Sequence, residues 1–154
     1  MGGRIETRLA EMGLELPAAP APAANYVPYV ISGDLVFVSG QIPNTETGLI
    51  TGKLGADMSV AEGREAARIC ALNLLAQLRA ACGGDLDRLE RVVKLGGFVN
   101  CTPDFTEHPQ VINGASDFFG DLLGETGAHA RAAVGCVSLP LGVAVEIEGI
   151  FRIR

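Results

Sequence analysis

Arg131 and Glu146 are the residues of this 154-residue chain whose types and settings point most directly to chemistry. Arg131 opens a run of Ala, Val, Gly and Cys in which no carboxylate appears until Glu146. A guanidinium in that company needs an anion from elsewhere, because an unpaired buried charge is costly and the planar fork matches a carboxylate. Glu146 lies where Val143, Val145, Ile147, Phe151 and Ile153 alternate with Glu146, Glu148, Arg152 and Arg154. A period of two predicts a strand with one apolar and one charged face, with Glu146 and Glu148 on the same side. On this pattern alone a solvated face explains either glutamate equally well. His129 is either a loop residue leading into a strand or, when protonated, a second positive group beside Arg131. His108, ahead of Pro109, reads more simply as a helix-entry residue.

These side chains need a scaffold, and the rest of the chain supplies one. Residues 4–12 predict a short helix with Ile5, Leu9 and Met12 on one side and Gly13 ending it. Residues 16–24 form a Pro/Ala stretch in which Pro17, Pro20 and Pro22 exclude regular helix and favour an extended tether. We read residues 1–24 as an N-terminal extension and 25–154 as the domain. Residues 25–38 predict two strands joined at Ser32-Gly33-Asp34, an edge hairpin. Residues 44–57 are polar and glycine-rich, a loop leading to a helix whose start is fixed by a Ser59/Glu62 capping box. Ala66, Ala67, Ile69, Cys70, Leu74, Leu78 and Ala81 keep helical spacing until Gly83-Gly84. A strand over 89–101 is interrupted in pattern by Gly96-Gly97, where a bulge or a close approach is expected. A second apolar helix carries Val111, Ile112, Ala115, Phe118, Phe119, Leu122 and Leu123. Strand pairs with two helices on one face make an α+β sandwich in one compact domain.

Composition narrows the function classes. A formal charge of −6 with a pI near 4.8, and no Lys/Arg run, argues against a nucleic-acid partner, which would meet a basic face. Cys70, Cys82, Cys101 and Cys136 form no C-x-x-C pair and only two histidines are present, so neither a zinc site nor a disulfide framework is expected. Reduced, largely buried thiols in a cytoplasmic protein fit better. The first residues lack the apolar core of a signal peptide, and no apolar run approaches membrane-span length.

The run R-A-A-V-G-C-V-S-L-P-L-G-V-A-V-E-I-E-G-I from Arg131 resembles the C-terminal signature of the RidA family, the reactive-intermediate imine deaminases also called YjgF-like or endoribonuclease L-PSP proteins. Phe37-Val38-Ser39-Gly40-Gln41-Ile42-Pro43 and Asn113 with Phe119 resemble two further motifs of that family. The resemblance implies a chorismate-mutase-like fold, a homotrimer with three clefts between subunits, no cofactor, and hydrolysis of enamines and imines such as 2-aminoacrylate to a 2-keto acid and ammonia. It implies that Arg131 holds the substrate carboxylate and Glu146 orients or deprotonates water. Ser39 would hydrogen-bond substrate or water, Tyr26 would wall the pocket, and Asn113 would support it. Tyr29 rivals Tyr26 because it follows Pro28. A cysteine usual in the family is replaced by Ala133, whose backbone groups remain available to a ligand. Two other functions compete: a binding or regulatory trimer for small carboxylates, and an endoribonuclease, which the acidic balance and lack of a His pair disfavour.

Geometry adds a condition. If residues 139–143 made a tight hairpin, Arg131 would pair near Phe151, leaving Glu146 about 17 Å away along the strand. Either the connection is no simple hairpin or the site joins two subunits.

Overall fold

The computed structural model describes residues 2–22 and 24–154. Its elements are α1 (Arg4–Glu11), β1 (Tyr29–Ser32), β2 (Leu35–Gln41), β3 (Asn44–Thr45), β4 (Gly48–Leu49), α2 (Val60–Ala81), β5 (Leu89–Asn100), α3 (His108–Leu123), β6 (Ala130–Cys136) and β7 (Val145–Ile153). A five-stranded sheet runs β1-β2-β7-β5-β6, antiparallel except for the β5/β6 pair. One face is covered, α2 lying over β2 and β7 and α3 over β5 and β6. This is the mixed α+β sandwich that the pattern of elements predicts.

The core follows from the period-two rows. Val36 and Val38 of β2, Val92, Leu95 and Val99 of β5, and Val145, Ile147 and Phe151 of β7 are all buried beneath the helices. Each such large apolar side chain stabilises the fold by about 1.5–3 kcal/mol on burial. The Ser59 side chain accepts from the Glu62 amide and Glu62 reaches back to Ser59, so the capping box forms as expected. Two orphan donors at the start of α2 are thereby satisfied. The other face of the sheet is open, and Val30, Phe37 and Val134 are exposed there.

Several expectations need correction. The first strand begins at Tyr29, so Tyr26 and Val27 precede the sheet. The segment 44–57 is not wholly loop, because Asn44–Thr45 and Gly48–Leu49 pair as a small hairpin. Of the two alternatives expected at Gly96-Gly97, the close approach holds and the bulge does not. A β-carbon on Gly96 would stand 2.9 Å from the Glu148 carboxylate, and one on Gly97 2.7 Å from Ile112 of α3. The connection from β6 to β7 is no hairpin, since β5 lies between them and pairs with both. The sequence signals were local, and strand order is a long-range choice. No helix among the described residues is long and apolar enough to cross a membrane.

Candidate active site

Register places the two leading residues on opposite sides of the sheet. Arg131 is level with Leu95, which is buried under the helices, so Arg131 stands on the helix side of edge strand β6. Glu146 is level with Phe98, one step out of phase with Leu95, and so stands on the open face. Arg131 and Gly149 share the Leu95 row, which leaves Glu146 three residues along and two strands across. That is about 14 Å of separation even before the opposite faces are counted. Within one chain they do not share a substrate.

The setting of Arg131 is built by α3. Its guanidinium donates through Nη1 to Ser116 Oγ (3.0 Å) and through Nη2 to the Pro109 carbonyl (3.3 Å). Ser116 Oγ is also 2.9 Å from His129 Nε2, and His129 Nδ1 is 2.7 Å from the Gly127 carbonyl. Two of these bonds have a forced direction. A carbonyl only accepts, so His129 Nδ1–H donates to Gly127, and a guanidinium only donates, so Ser116 Oγ accepts from Arg131. The Ser116–His129 bond can run either way, because a hydroxyl both donates and accepts. His129 thus reaches Arg131 through Ser116 rather than directly. Among the described residues no carboxylate pairs with Arg131, so its charge is held in place and left for an anion. Asn113 lies four residues after Pro109 and three before Ser116, on the helix face that meets β6.

Glu146 has a different environment. It is half-buried and its carboxylate has no hydrogen-bond or ion-pair partner among the described residues. Burial first, and then the charge of Glu148, raise its carboxyl above the ordinary glutamate range. Space for the carboxylate exists because residue 40 is glycine: a β-carbon on Gly40 would overlap Glu146 Oε1. Between Val38 and Gln41 the β2/β7 register slips by one residue, a bulge centred on Ser39-Gly40. Gly40, Gln41, Tyr26 and Glu146 line one cavity, which Tyr29 does not border. Tyr29 instead packs against the core. Ser39 Oγ donates to the Val27 carbonyl at 2.7 Å, and the Ser39 amide donates to Pro28. Its proton is thus engaged in holding the segment that carries Tyr26, and only its lone pairs remain for a ligand. Ala133, level with Gly97, lies on the helix side of β6, whose outer edge has no strand partner in the chain.

The arrangement offers a positioned cation and a carboxylate that favours its neutral form more than most, in two half-sites. Sequence reasoning missed Ser116, whose type is uninformative without the fold. It also passed over Gly40, which a glycine inside a β-rich run could have signalled as a bulge.

Residues 6–147 match the family model described as "YjgF/chorismate mutase-like, putative endoribonuclease". "Protein TCP17" of Trypanosoma cruzi is 52% identical over 154 residues, covering 99% of this chain and 96% of that protein. The crystal structure of Atu1372 from Agrobacterium tumefaciens, titled as of unknown function, is 51% identical with a TM-score of 0.91, covering 98% of this chain and 93% of that one. A "2-iminobutanoate/2-iminopropanoate deaminase" of Dermatophagoides farinae is 29% identical over 143 residues, covering 92% of this chain and 95% of that protein. With the fold, the Ser39-Gly40 bulge and the Arg131 and Glu146 strands in place, the chain belongs to the YjgF/RidA family.

Proposed function

We propose that the protein hydrolyses imines and enamines of 2-amino acids to 2-keto acids and ammonia in clefts between subunits of a homotrimer. The observation that carries this reading is the pair of incomplete half-sites: a guanidinium fixed by Ser116 and Pro109 with no counter-ion, and an unbonded carboxylate beside a cavity on the opposite face. The exposed apolar residues Val30, Phe37 and Val134 on the open sheet supply surface for a neighbouring copy. The deaminase name of one relative favours the same chemistry.

In this reading Arg131 grips the substrate carboxylate and fixes the C=N carbon relative to the partner's glutamate. Glu146 takes a proton from water as the oxygen bonds to that carbon, and the proton passes to nitrogen. The carbinolamine then collapses: Glu146 relays its hydroxyl proton to the amino group, the C=O bond forms and the C–N bond breaks, leaving ammonia and the keto acid. Tyr26 walls the cleft, Asn113 supports Arg131 from α3, and Ser39 and the Ala133 backbone offer acceptors. Ribonuclease chemistry is disfavoured because His129 is engaged by Ser116 and His108 by Cys101, away from Glu146.

The test is keto-acid release from freshly generated 2-aminoacrylate by wild type and Arg131→Ala. Wild type should accelerate release and Arg131→Ala should lose about a hundredfold or more, since mispositioning alone costs that much. Binding of 2-keto acids without any acceleration would instead mark a carboxylate-binding protein.

A further inference from the structure

The cavity beside Glu146 is larger than a three-carbon imino acid requires, and its outer wall is brought by the N-terminal segment. About 550 Å³ lies within it, in the roughly 300–1,000 Å³ range of cavities that enclose drug-sized ligands. Pro20, Pro22, Tyr26, Ile42, Pro140 and Leu141 are among its lining residues. The chamber is mostly apolar, with the Glu146 carboxylate and the amides of Gln41, Asn44 and Gln77 as its polar groups.

Two features show that the chamber is a built one. The N-terminal segment is tied to the rest of the domain at several points. Ile5 and Leu9 of α1 are buried, Arg4 and Ile5 amides donate to Asp87 at 2.8 and 3.0 Å, and Arg79 donates to the Pro17 carbonyl at 3.2 Å. Next to the cavity, Gln77 Nε2 donates to the Pro20 carbonyl at 2.6 Å from a side chain that is only 2% exposed. A buried amide aimed at a tether fixes its height over the cavity floor. Also in the lining, Leu141 adopts φ 60°, the one non-glycine residue in the left-handed region among the described residues, and is 66% exposed. A branched side chain resists that conformation, yet here it presents an apolar group to the cavity.

We infer that this chamber receives the side chain of the substrate, and that the protein's substrates are imines of amino acids with large apolar side chains, branched aliphatic or aromatic. The inference rests on the proposed deaminase reading and specifies its substrate class. With the imino-acid carboxylate on Arg131 and the C=N carbon at Glu146, the side chain is the part of the substrate left to fill the chamber. Burying it there adds binding energy that a methyl group cannot supply.

The experiment compares kcat/KM for imines generated by an L-amino-acid oxidase from alanine, leucine and phenylalanine, using wild type, Ala21→Phe and Leu141→Gly. Ala21 lines the chamber from the tether, so Ala21→Phe fills it, while Leu141→Gly removes a wall and relaxes the left-handed backbone. Wild type should prefer the leucine or phenylalanine imine over the alanine imine by about tenfold or more, as extra methylenes in an apolar pocket do. Both variants should collapse that ratio. A ratio within one enzyme does not depend on how much of the sample is folded. Wild-type preference for the three-carbon imine, or an unchanged ratio in both variants, would overturn the inference, as it would if a neighbouring subunit occupied the chamber. If no imine is accelerated, the deaminase reading fails, and calorimetry with 4-methyl-2-oxopentanoate and pyruvate decides the inference separately. Tighter binding of the larger acid to wild type, lost in Ala21→Phe, keeps it; equal binding or none overturns it.

Discussion

Glu146 and Ser116 act through what surrounds them rather than through their types. Because burial raises the Glu146 pKa, the folded chain binds more proton than the unfolded chain between the ordinary value and the raised one. Stability therefore falls as pH rises through that window, and above the raised value the penalty is present in full. Glu146→Gln should raise Tm at pH 7, with the difference shrinking as pH drops through the raised value, read by calorimetry. The same variant should lose about 10²–10⁴-fold in imine hydrolysis, the usual contribution of a general base. In wild type the acid limb of kcat/KM should sit above the ordinary carboxylate range. Ser116 serves as a positioning residue: it accepts from Arg131 and is hydrogen-bonded to His129. A hydrogen bond to a charged group contributes about 1.5–3 kcal/mol, so Ser116→Ala should weaken 2-keto-acid binding about tenfold or more. Ser116→Thr should restore it, whereas a packing defect would lower Tm in both variants and leave Kd unchanged in each.

At the scale of elements, the α2/α3 contact decides where Asn113, Ser116 and Pro109 stand relative to β6. That contact is close because Gly114 of α3 has no side chain: a β-carbon there would overlap the Arg64 carbonyl of α2. Propensity and packing oppose each other at this position. Gly to Ala inside an exposed helix stabilises by about 0.5–1 kcal/mol, but overpacking costs about 1–3 kcal/mol, and backbone cannot yield as a flexible side chain can. Gly114→Ala should therefore lower stability by about 1–2 kcal/mol in urea unfolding. It should also weaken carboxylate binding, because Ser116 moves with the helix. Both helices were legible from apolar spacing, and α2 from its capping box. Their mutual closeness was not, since Gly114 in a helical run reads equally as a weak spot.

The whole molecule is where the candidate site is completed or fails. Arg131 and Glu146 lie on opposite faces of one sheet, so in the proposed trimer each cleft joins Arg131 of one copy to Glu146 of the next. This arrangement makes a prediction that no single-chain site shares. Arg131→Ala and Glu146→Gln should each be inactive alone. After mixing and reassembly, about a quarter of the clefts should hold both native residues, because each is drawn from its own copy with even odds around a closed ring. Activity near that fraction supports the shared cleft; none after confirmed exchange of subunits, or a monomer in solution scattering, counts against it.

What the sequence by itself determined is whatever short-range physics controls. The Ser59/Glu62 cap, the Gly33-Asp34 turn, the apolar faces of α2 and α3 and the alternation along β7 depend on neighbours within a few residues, and all were readable. The motifs around Ser39, Arg131 and Glu146 also marked the family. The tertiary structure alone decided that β5 enters between β6 and β7, because strand order depends on which distant edges pair. With that order Arg131 and Glu146 stand two strands apart on opposite faces, rather than spaced along one hairpin. It also brought Ser116 under Arg131 and strapped Pro20 to Gln77, 57 residues away, contacts that no local pattern encodes.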